Sequence, residues 1–331
     1  MRGVSRVDDE LALIFEQHRA HLTSVAYRLH GTRTDAEDAV QESWLRLISL
    51  DGPARAAIDD HRAWLTTVVG RICLDRMRSA VARRERYVGP WLPEPLVARP
   101  IGSTPAPDPL DQVVQADGMR TAALLVLQRL SPDQRVAFVL HDGFAVPFPE
   151  IAEVLGCSAA AARQHASRAR RVMVAADPPP RVAPAEQQRL LTEFLAALAA
   201  RDTEALTRVL HPEVAMHGDG GGKAKTTLRV VLGAPKVIRF LFGLLDLYGE
   251  AMTAGAVGVL VNGDVGVLVG TPPTGAEQAA AVGPARRTER AGTGRRSTEV
   301  EPRVAWLAVR DGRIEAIYDL ANPDKLARIL R

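Results

Sequence analysis

The residues best placed to do chemistry in this sequence are arginines rather than acid–base pairs, and the chemistry they suit is recognition of nucleic acid. In the run AAAARQHASRARR, residues 159 to 171, Arg163, Gln164, His165 and Arg168 interleave with the small residues Ala162 and Ala166, at the spacing of one helical face over an apolar one. Forked guanidinium and amide donors read base edges and phosphates, and no acid in the run opposes a polyanion. A second set, Arg71, Arg76, Arg78, Arg83, Arg84 and Arg86, outweighs Asp75 and Glu85 on one predicted helix and could displace several counterions from a phosphate chain. A third set is acidic: Asp35, Asp38 and Glu42 share a helical face with Gln41, and Trp44 lies near. With no metal ligand or partner base beside it, that face suits docking to a basic partner better than catalysis.

The elements that must position these groups are helices. Apolar residues such as Leu11, Ile14, Phe15, Leu22, Val25 and Ala26 recur at three- and four-residue steps, and residues from about 10 to 87 read as an all-α unit. Thr34 is the expected N-cap of the acidic helix, whose first-turn acids favour the helix dipole. Trp64 is expected as a core anchor of the arginine-bearing helix. The segment from Phe148 to Arg171 reads as helix, turn at Gly156, Ser158 N-cap and second helix, with Ile151, Ala152, Leu155, Ala162 and Ala166 inside: a helix-turn-helix.

The chain has 331 residues, enough for two or three domains, with 47% hydrophobic and 24% charged residues and a net charge of only +3, so charge clustering carries more meaning than the total. Cys73 and Cys157 stand apart, and His18 and His21 have the spacing of a metal pair without a third ligand, so no metal or other cofactor is expected. No apolar stretch reaches membrane-spanning length and the N-terminus lacks a signal-peptide core, which places the protein in the cytoplasm, off the membrane.

After the triple proline Pro178-Pro179-Pro180 the periodicity changes. Helices over Pro184–Ala200 and Asp202–Leu210 and near Pro235–Tyr248 accompany strands at Val214–His217, Thr226–Leu232, Val257–Val261, Val265–Val269, Val304–Val309 and Ile314–Tyr318. A final helix should start with Asn322 as N-cap and Pro323 at the first position. This is an α+β cone or roll, with helices on one side of a curved antiparallel sheet and an aperiodic insertion at 271–298. His211, His217, Asp219, Trp306, Tyr318 and Asp319 could line a cavity there, the pattern of an enzyme or a small-molecule sensor. Paired acids and bases at matched depth are not evident, so catalysis is not expected.

One segment fits neither a core nor a plain spacer. Among seven prolines between residues 88 and 114, the run PWLPEPL carries Trp91, Leu92 and Leu96, apolar side chains a solvated linker does not need.

Residues about 10 to 175 resemble the extracytoplasmic-function sigma factors, which give bacterial RNA polymerase its promoter specificity. The resemblance implies that DAEDAVQESWL is the region 2 docking helix for the polymerase β′ clamp, through Asp35, Asp38, Gln41, Glu42 and Trp44. It implies that Arg71, Arg76 and Arg78 meet the −10 element, and that the 49–62 loop takes the place of the base-capturing loop. Arg163, Gln164, His165 and Arg168 would read the −35 element from region 4, beside the β flap, and LSPDQRVAF resembles the helix opening that region. The C-terminal part resembles the SnoaL-like domain, of the nuclear-transport-factor-2-like cone fold, fused to one group of these factors. Three motifs mark that group: Trp91-Leu92-Pro93-Glu94-Pro95, Asp219-Gly220-Gly221-Gly222-Lys223 and Asn322-Pro323-Asp324-Lys325-Leu326. The implied organisation is region 2 over 1–88, a linker over 89–114, region 4 over 115–176, a short linker over 177–184 and the SnoaL-like domain over 185–331. It further implies control in cis, with no separate anti-sigma factor required.

Overall fold

The computed structural model describes residues 6–84, 87–98, 120–252, 256–270 and 300–329. The expected insertion at 271–298, Arg86 and the linker beyond residue 98 lie outside the described residues. The chain divides into two compact units: Met1–Arg86 with Asp108–Pro178, and Tyr87–Pro107 with Pro179–Arg331.

The first unit is helical. Helices α1 (Arg6–His30), α2 (Arg33–Ile48), α3 (Gly52–Ala56) and α4 (His61–Arg84) form its first half. They close around Phe15, Leu22, Val25, Ala39, Val40, Leu47, Leu65, Val69 and Ile72, all almost fully buried. The N-cap of α2 is Thr32 rather than Thr34. Gly31 ends the previous helix with a positive φ, and Thr32, extended at φ −127°, accepts the Asp35 N–H with its hydroxyl. Trp64 is only half-buried.

The second half holds α5 (Thr121–Leu127), α6 (Pro132–Phe138), α7 (Phe148–Leu155) and α8 (Ala159–Ala176). Ser131 and Gln134 form a reciprocal capping box at the start of α6. A π-helical turn, Val139–Gly143, carries the chain out of α6. Between α7 and α8, Gly156 adopts φ +66° and Ser158 accepts the Ala161 N–H, so the turn of the helix-turn-helix is made by the two residues whose types demand it.

The second unit is a mixed seven-stranded sheet with helices. Its strands are β1 (Val97–Ala98), β2 (Leu210–Asp219), β3 (Val231–Leu232), β4 (Val257–Val261), β5 (Asp264–Val269), β6 (Arg303–Arg310) and β7 (Arg313–Leu320), in the order β1-β4-β5-β6-β7-β2-β3. The β2–β7 pair is parallel and the other pairs are antiparallel. Helices α9 (Pro184–Ala199), α10 (Thr203–Val209) and α11 (Ala234–Tyr248) share a core with one face of the sheet, through Leu191, Phe194, Val237, Leu241, Met216, Val267, Leu307 and Ile317. A last short helix, α12 (Pro323–Leu326), has Asn322 as its N-cap.

The strand expected over Thr226–Leu232 is confined to Val231 and Leu232. Its alternating apolar residues find no face to cover, for Leu228 and Leu232 are 71% and 60% exposed. Thr226 instead turns its hydroxyl onto Asp319. The sequence pattern does not predict β1: two residues of the proline-rich segment pair with Val261 and Leu260 at the sheet edge.

Candidate functional site

The acidic helix α2 buries Ala36, Ala39, Val40, Ser43 and Leu47 and leaves Asp35, Asp38 and Gln41 exposed. Trp44 is half-buried, its ring 5.1 Å from that of Phe15. Glu42 is tied back: its carboxylate accepts from Arg46 at 2.7 Å and from Arg76 of α4 at 2.8 Å. Partial burial opposes ionisation of Glu42, but the Arg76 and Arg46 guanidiniums outweigh it and hold the carboxyl below its ordinary range. The Arg76–Glu42 pair therefore joins a residue expected on the docking face with one expected to meet DNA.

On α4, Arg71 and Arg78 project from the exposed side of the helix. Arg71 donates to the Glu153 carbonyl at 3.1 Å, and Arg78 donates to the Asp133 carboxylate at 2.8 Å. On α8, Arg163, Gln164 and Arg168 are exposed, while Ala162, Ala166 and Ala169 are buried against the rest of the unit. His165 is half-buried, and its Nδ1 is enclosed with no hydrogen-bond partner among the described residues. The guanidinium of Arg163 lies 5.4 Å from the centre of the Phe148 ring. His21, one half of the spaced histidine pair, contacts the Thr66 hydroxyl and the Arg62 guanidinium through its two ring nitrogens.

The three short motifs converge in the sheet unit. Asp219, at the end of β2, is fully buried, and its carboxylate accepts from Tyr87 Oη at 2.5 Å, Leu92 N at 2.9 Å, Gly221 N at 3.1 Å and Lys325 Nζ at 2.7 Å. The same ammonium donates to the Leu92 carbonyl and lies 4.2 Å from the Trp91 ring centre and 5.2 Å from that of Tyr87. Asn322 donates to Tyr87 Oη at 2.8 Å while its own oxygen caps Asp324 N. Burial, followed by the hydrogen bond and charge of Asp219, pushes the Tyr87 phenol above its ordinary range.

The glycines of the 219–223 loop have distinct uses. Gly221 has φ +58°, and a Cβ there would lie 2.4 Å from the Asn322 amide; Gly222, at φ +72°, faces Val88. Lys223 pairs with Asp324 at 2.6 Å, but both are more than half exposed, so this pair contributes little.

The far end of the proline-rich segment is fastened as well. Asn262 accepts the Leu96 N–H with its side chain and donates its own N–H to the Leu96 carbonyl. Between the two anchors Leu92, Pro93, Glu94, Pro95 and Leu96 are all buried, and Leu326 of α12 is fully enclosed. Sequence reasoning missed Tyr87 and Asn262. Tyr87 sits outside every motif, and Asn262 reads first as the left-handed residue of the 261–264 hairpin, where it has φ +51°.

The residues considered as acid, base or stacking groups are committed elsewhere. His217, Tyr318 and Trp306 form a continuous ring stack at 5.5 and 5.3 Å. Their chain neighbours Met216, Ile317 and Leu307 belong to the helix-facing core, so strand alternation puts the stack on the opposite face. Asp319 is buried against the Thr226 hydroxyl at 2.6 Å and Arg303 at 3.3 Å. His211 accepts the Glu213 N–H.

Comparison with known proteins gives this geometry its context. The Sigma-70 region 2 family matches residues 14–83, and the Sigma-70 region 4 family matches residues 120–173. The chain is 48% identical over 318 residues to the ECF RNA polymerase sigma factor SigJ of Mycobacterium tuberculosis, covering 94% of this chain and 91% of that protein. It is 38% identical over 231 residues to the probable ECF RNA polymerase sigma factor SigI of the same organism, covering 69% and 75%. The crystal structure of M. tuberculosis SigJ superposes with a TM-score of 0.73 at 44% identity, covering 96% of this chain and 98% of that one. A sigma region 2, a region 4 helix-turn-helix and a C-terminal α+β cone in one chain, aligned with SigJ nearly end to end, show that the protein belongs to the extracytoplasmic-function RNA polymerase sigma factors.

Proposed function

We propose that this sigma factor binds core RNA polymerase in the cytoplasm and directs it to promoters, with the cone domain adjusting its activity through the segment that links the two sigma regions. In this reading the exposed Asp35, Asp38 and Gln41, with Glu42 and Trp44, dock on the β′ clamp, and region 4 rests near the β flap. Exposed Arg163, Gln164 and Arg168, with His165, meet the −35 element, while Arg71, Arg76 and Arg78 of α4 serve the −10 element. The factor performs no covalent chemistry; it positions the polymerase and lowers the cost of strand opening. The commitment of His217, Tyr318 and Asp319 to structural contacts supports a regulatory rather than catalytic cone.

One observation carries the regulatory part. The linker motif is held by buried Asp219 and by Lys325, each from a separate motif of the cone domain. Whatever changes that attachment changes how freely regions 2 and 4 can separate, and a tethered contact needs little intrinsic affinity to be well populated. No separate anti-sigma protein is then required. The test is run-off transcription with core polymerase on promoters selected with the full chain, comparing that chain with Asp219→Ala and with a chain ending at Asp177. Promoter-dependent initiation by the full chain with altered output from the variants supports the reading. Absence of initiation by every form refutes the promoter assignment, and equal output from all three refutes regulation in cis.

A further inference from the structure

Two arginines of α8 are held by residues that precede the helix. The π-helical turn Val139–Gly143 sets His141 and Asp142 side by side. Asp142 accepts from Arg170 at 2.6 Å, which keeps that guanidinium on the protein and braces the turn against α8. His141 stacks on Phe148, the first residue of α7, with ring centres 4.0 Å apart and planes 26° from parallel. The imidazole is tethered as well as stacked. Its Nδ1 lies 3.1 Å from the Val146 carbonyl, and since a carbonyl only accepts, Nδ1 carries the proton. The half-buried Phe148 ring also meets the exposed Arg163, whose guanidinium lies 5.4 Å from the ring centre. Among the described residues no ring or carboxylate holds Arg168 in this way.

We propose that His141 and Phe148 are positioning residues for sequence readout: they hold the Arg163 fork ready for the edge of a guanine, the specificity-determining contact of α8, while Arg168 meets the phosphate backbone. The inference rests on the reading of α8 as the helix that meets the −35 element. A guanidinium matches guanine O6 and N7 with two parallel donors, and its plane stacks on aromatic faces in a way an ammonium cannot. A long side chain gives up rotamer freedom when it binds, and one already resting on a ring has less to lose. Position along the helix agrees. Arg163 is the fifth residue of α8 and Arg168 the tenth, and base edges are reached from the N-terminal part of a recognition helix. The turn before Arg163 is Ala159-Ala160-Ala161, short side chains that let this end of the helix approach the bases closely. Retention of Arg170 by Asp142 withholds a cation that would otherwise add to sequence-independent phosphate binding.

The test is selection of upstream sequences from a randomised duplex by holoenzyme assembled from core polymerase and the full chain, parent or variant. The parent should fix a guanine at one position of the upstream element. Arg163→Lys should lower that preference about tenfold or more. Phe148→Leu, which keeps an apolar side chain but removes the ring, should relax the same position about two- to fivefold and leave the other positions unchanged. Phe148→Tyr, which keeps the ring, should retain the preference, and adding Phe148→Leu to Arg163→Lys should relax it no further. Phe148→Leu that weakens all sequences alike, or alters none, overturns the positioning role. If circular dichroism shows that Phe148→Leu does not fold, His141→Ala takes its place with the same expected direction at the same position, and no relaxation there overturns the role equally. An element whose guanine preference survives Arg163→Lys overturns the assignment of Arg163. Selection of no upstream element by the parent holoenzyme refutes the promoter reading itself, whereas an element that is selected but insensitive to these variants overturns this inference alone.

Discussion

Replacing Asp219 by alanine should release the linker from the cone domain while leaving the sheet folded. The carboxylate is fully buried and accepts from Tyr87, Leu92, Gly221 and Lys325. Tyr87 is half-buried and Gly221 N partly exposed, so both can turn to water and add little to the loss. The Leu92 N–H is enclosed, and leaving such a donor unmatched costs about 1–3 kcal/mol. The Lys325 side chain is 10% exposed, and removing one partner of a buried pair costs about 3–5 kcal/mol when no relief is available. Lys325 keeps the Leu92 carbonyl and the Trp91 and Tyr87 rings, so the combined loss is taken at about 3 kcal/mol, on the order of a hundredfold in the undocking equilibrium. The assay is amide hydrogen exchange, read at Leu92 and at Leu96, whose N–H is held by Asn262 at the other anchor. Leu92 should exchange about a hundred times faster, and Leu96 should follow if the segment lets go as one piece. The control is Asp324→Ala, which removes the exposed Lys223 pair and should change neither amide by more than a few-fold. Unchanged Leu92 exchange in Asp219→Ala would refute the view that this carboxylate holds the linker.

Three further outcomes follow from local physics. Because the folded state holds the Tyr87 phenol above its ordinary range, the docked linker keeps a proton that the released one loses; docking is fully stable below about pH 10 and weakens above it. A tyrosinate absorbance titration should show a late phase that Tyr87→Phe diminishes. Ser158→Ala removes the N-cap of α8 and should lower stability of the helical unit by about 1 kcal/mol, seen as a lower denaturant midpoint with an unchanged slope. Arg168→Ala should weaken duplex binding by the holoenzyme and reduce the slope of log affinity against log salt by about one if its partner is a phosphate; an unchanged slope would assign it to a base edge.

Local chemistry made much of this protein legible. Gly156 and Ser158 mark the helix-turn-helix because a left-handed turn and an N-cap each demand a narrow choice of residue, and both act within a few positions of their partners. The Asn262-Gly263 and Asp311-Gly312 turns mark their hairpins for the same reason, with positive φ at all four residues. Misreadings arose where a local pattern had two solutions: Thr32 and Thr34 are both capping residues, and the position of Gly31 decided between them. In the stretch 226–232, alternation signalled a strand, but Thr226 bonds to Asp319 and the chain bends instead.

What the sequence determined, then, is the set of elements and the motifs they carry: helical halves with arginine-rich faces, a sheet domain, and an apolar linker segment that needed a receiving surface. What only the tertiary structure decided is who receives whom. Trp91 meets Lys325 across more than 200 residues of chain, Leu92 meets Asp219, and Arg71 meets Glu153. No helical or strand period reports such pairs, because each depends on two distant segments being brought together by cores that form elsewhere. The cost of leaving a buried carboxylate or ammonium unpaired fixes the partnership at Asp219 once the fold has placed it out of water.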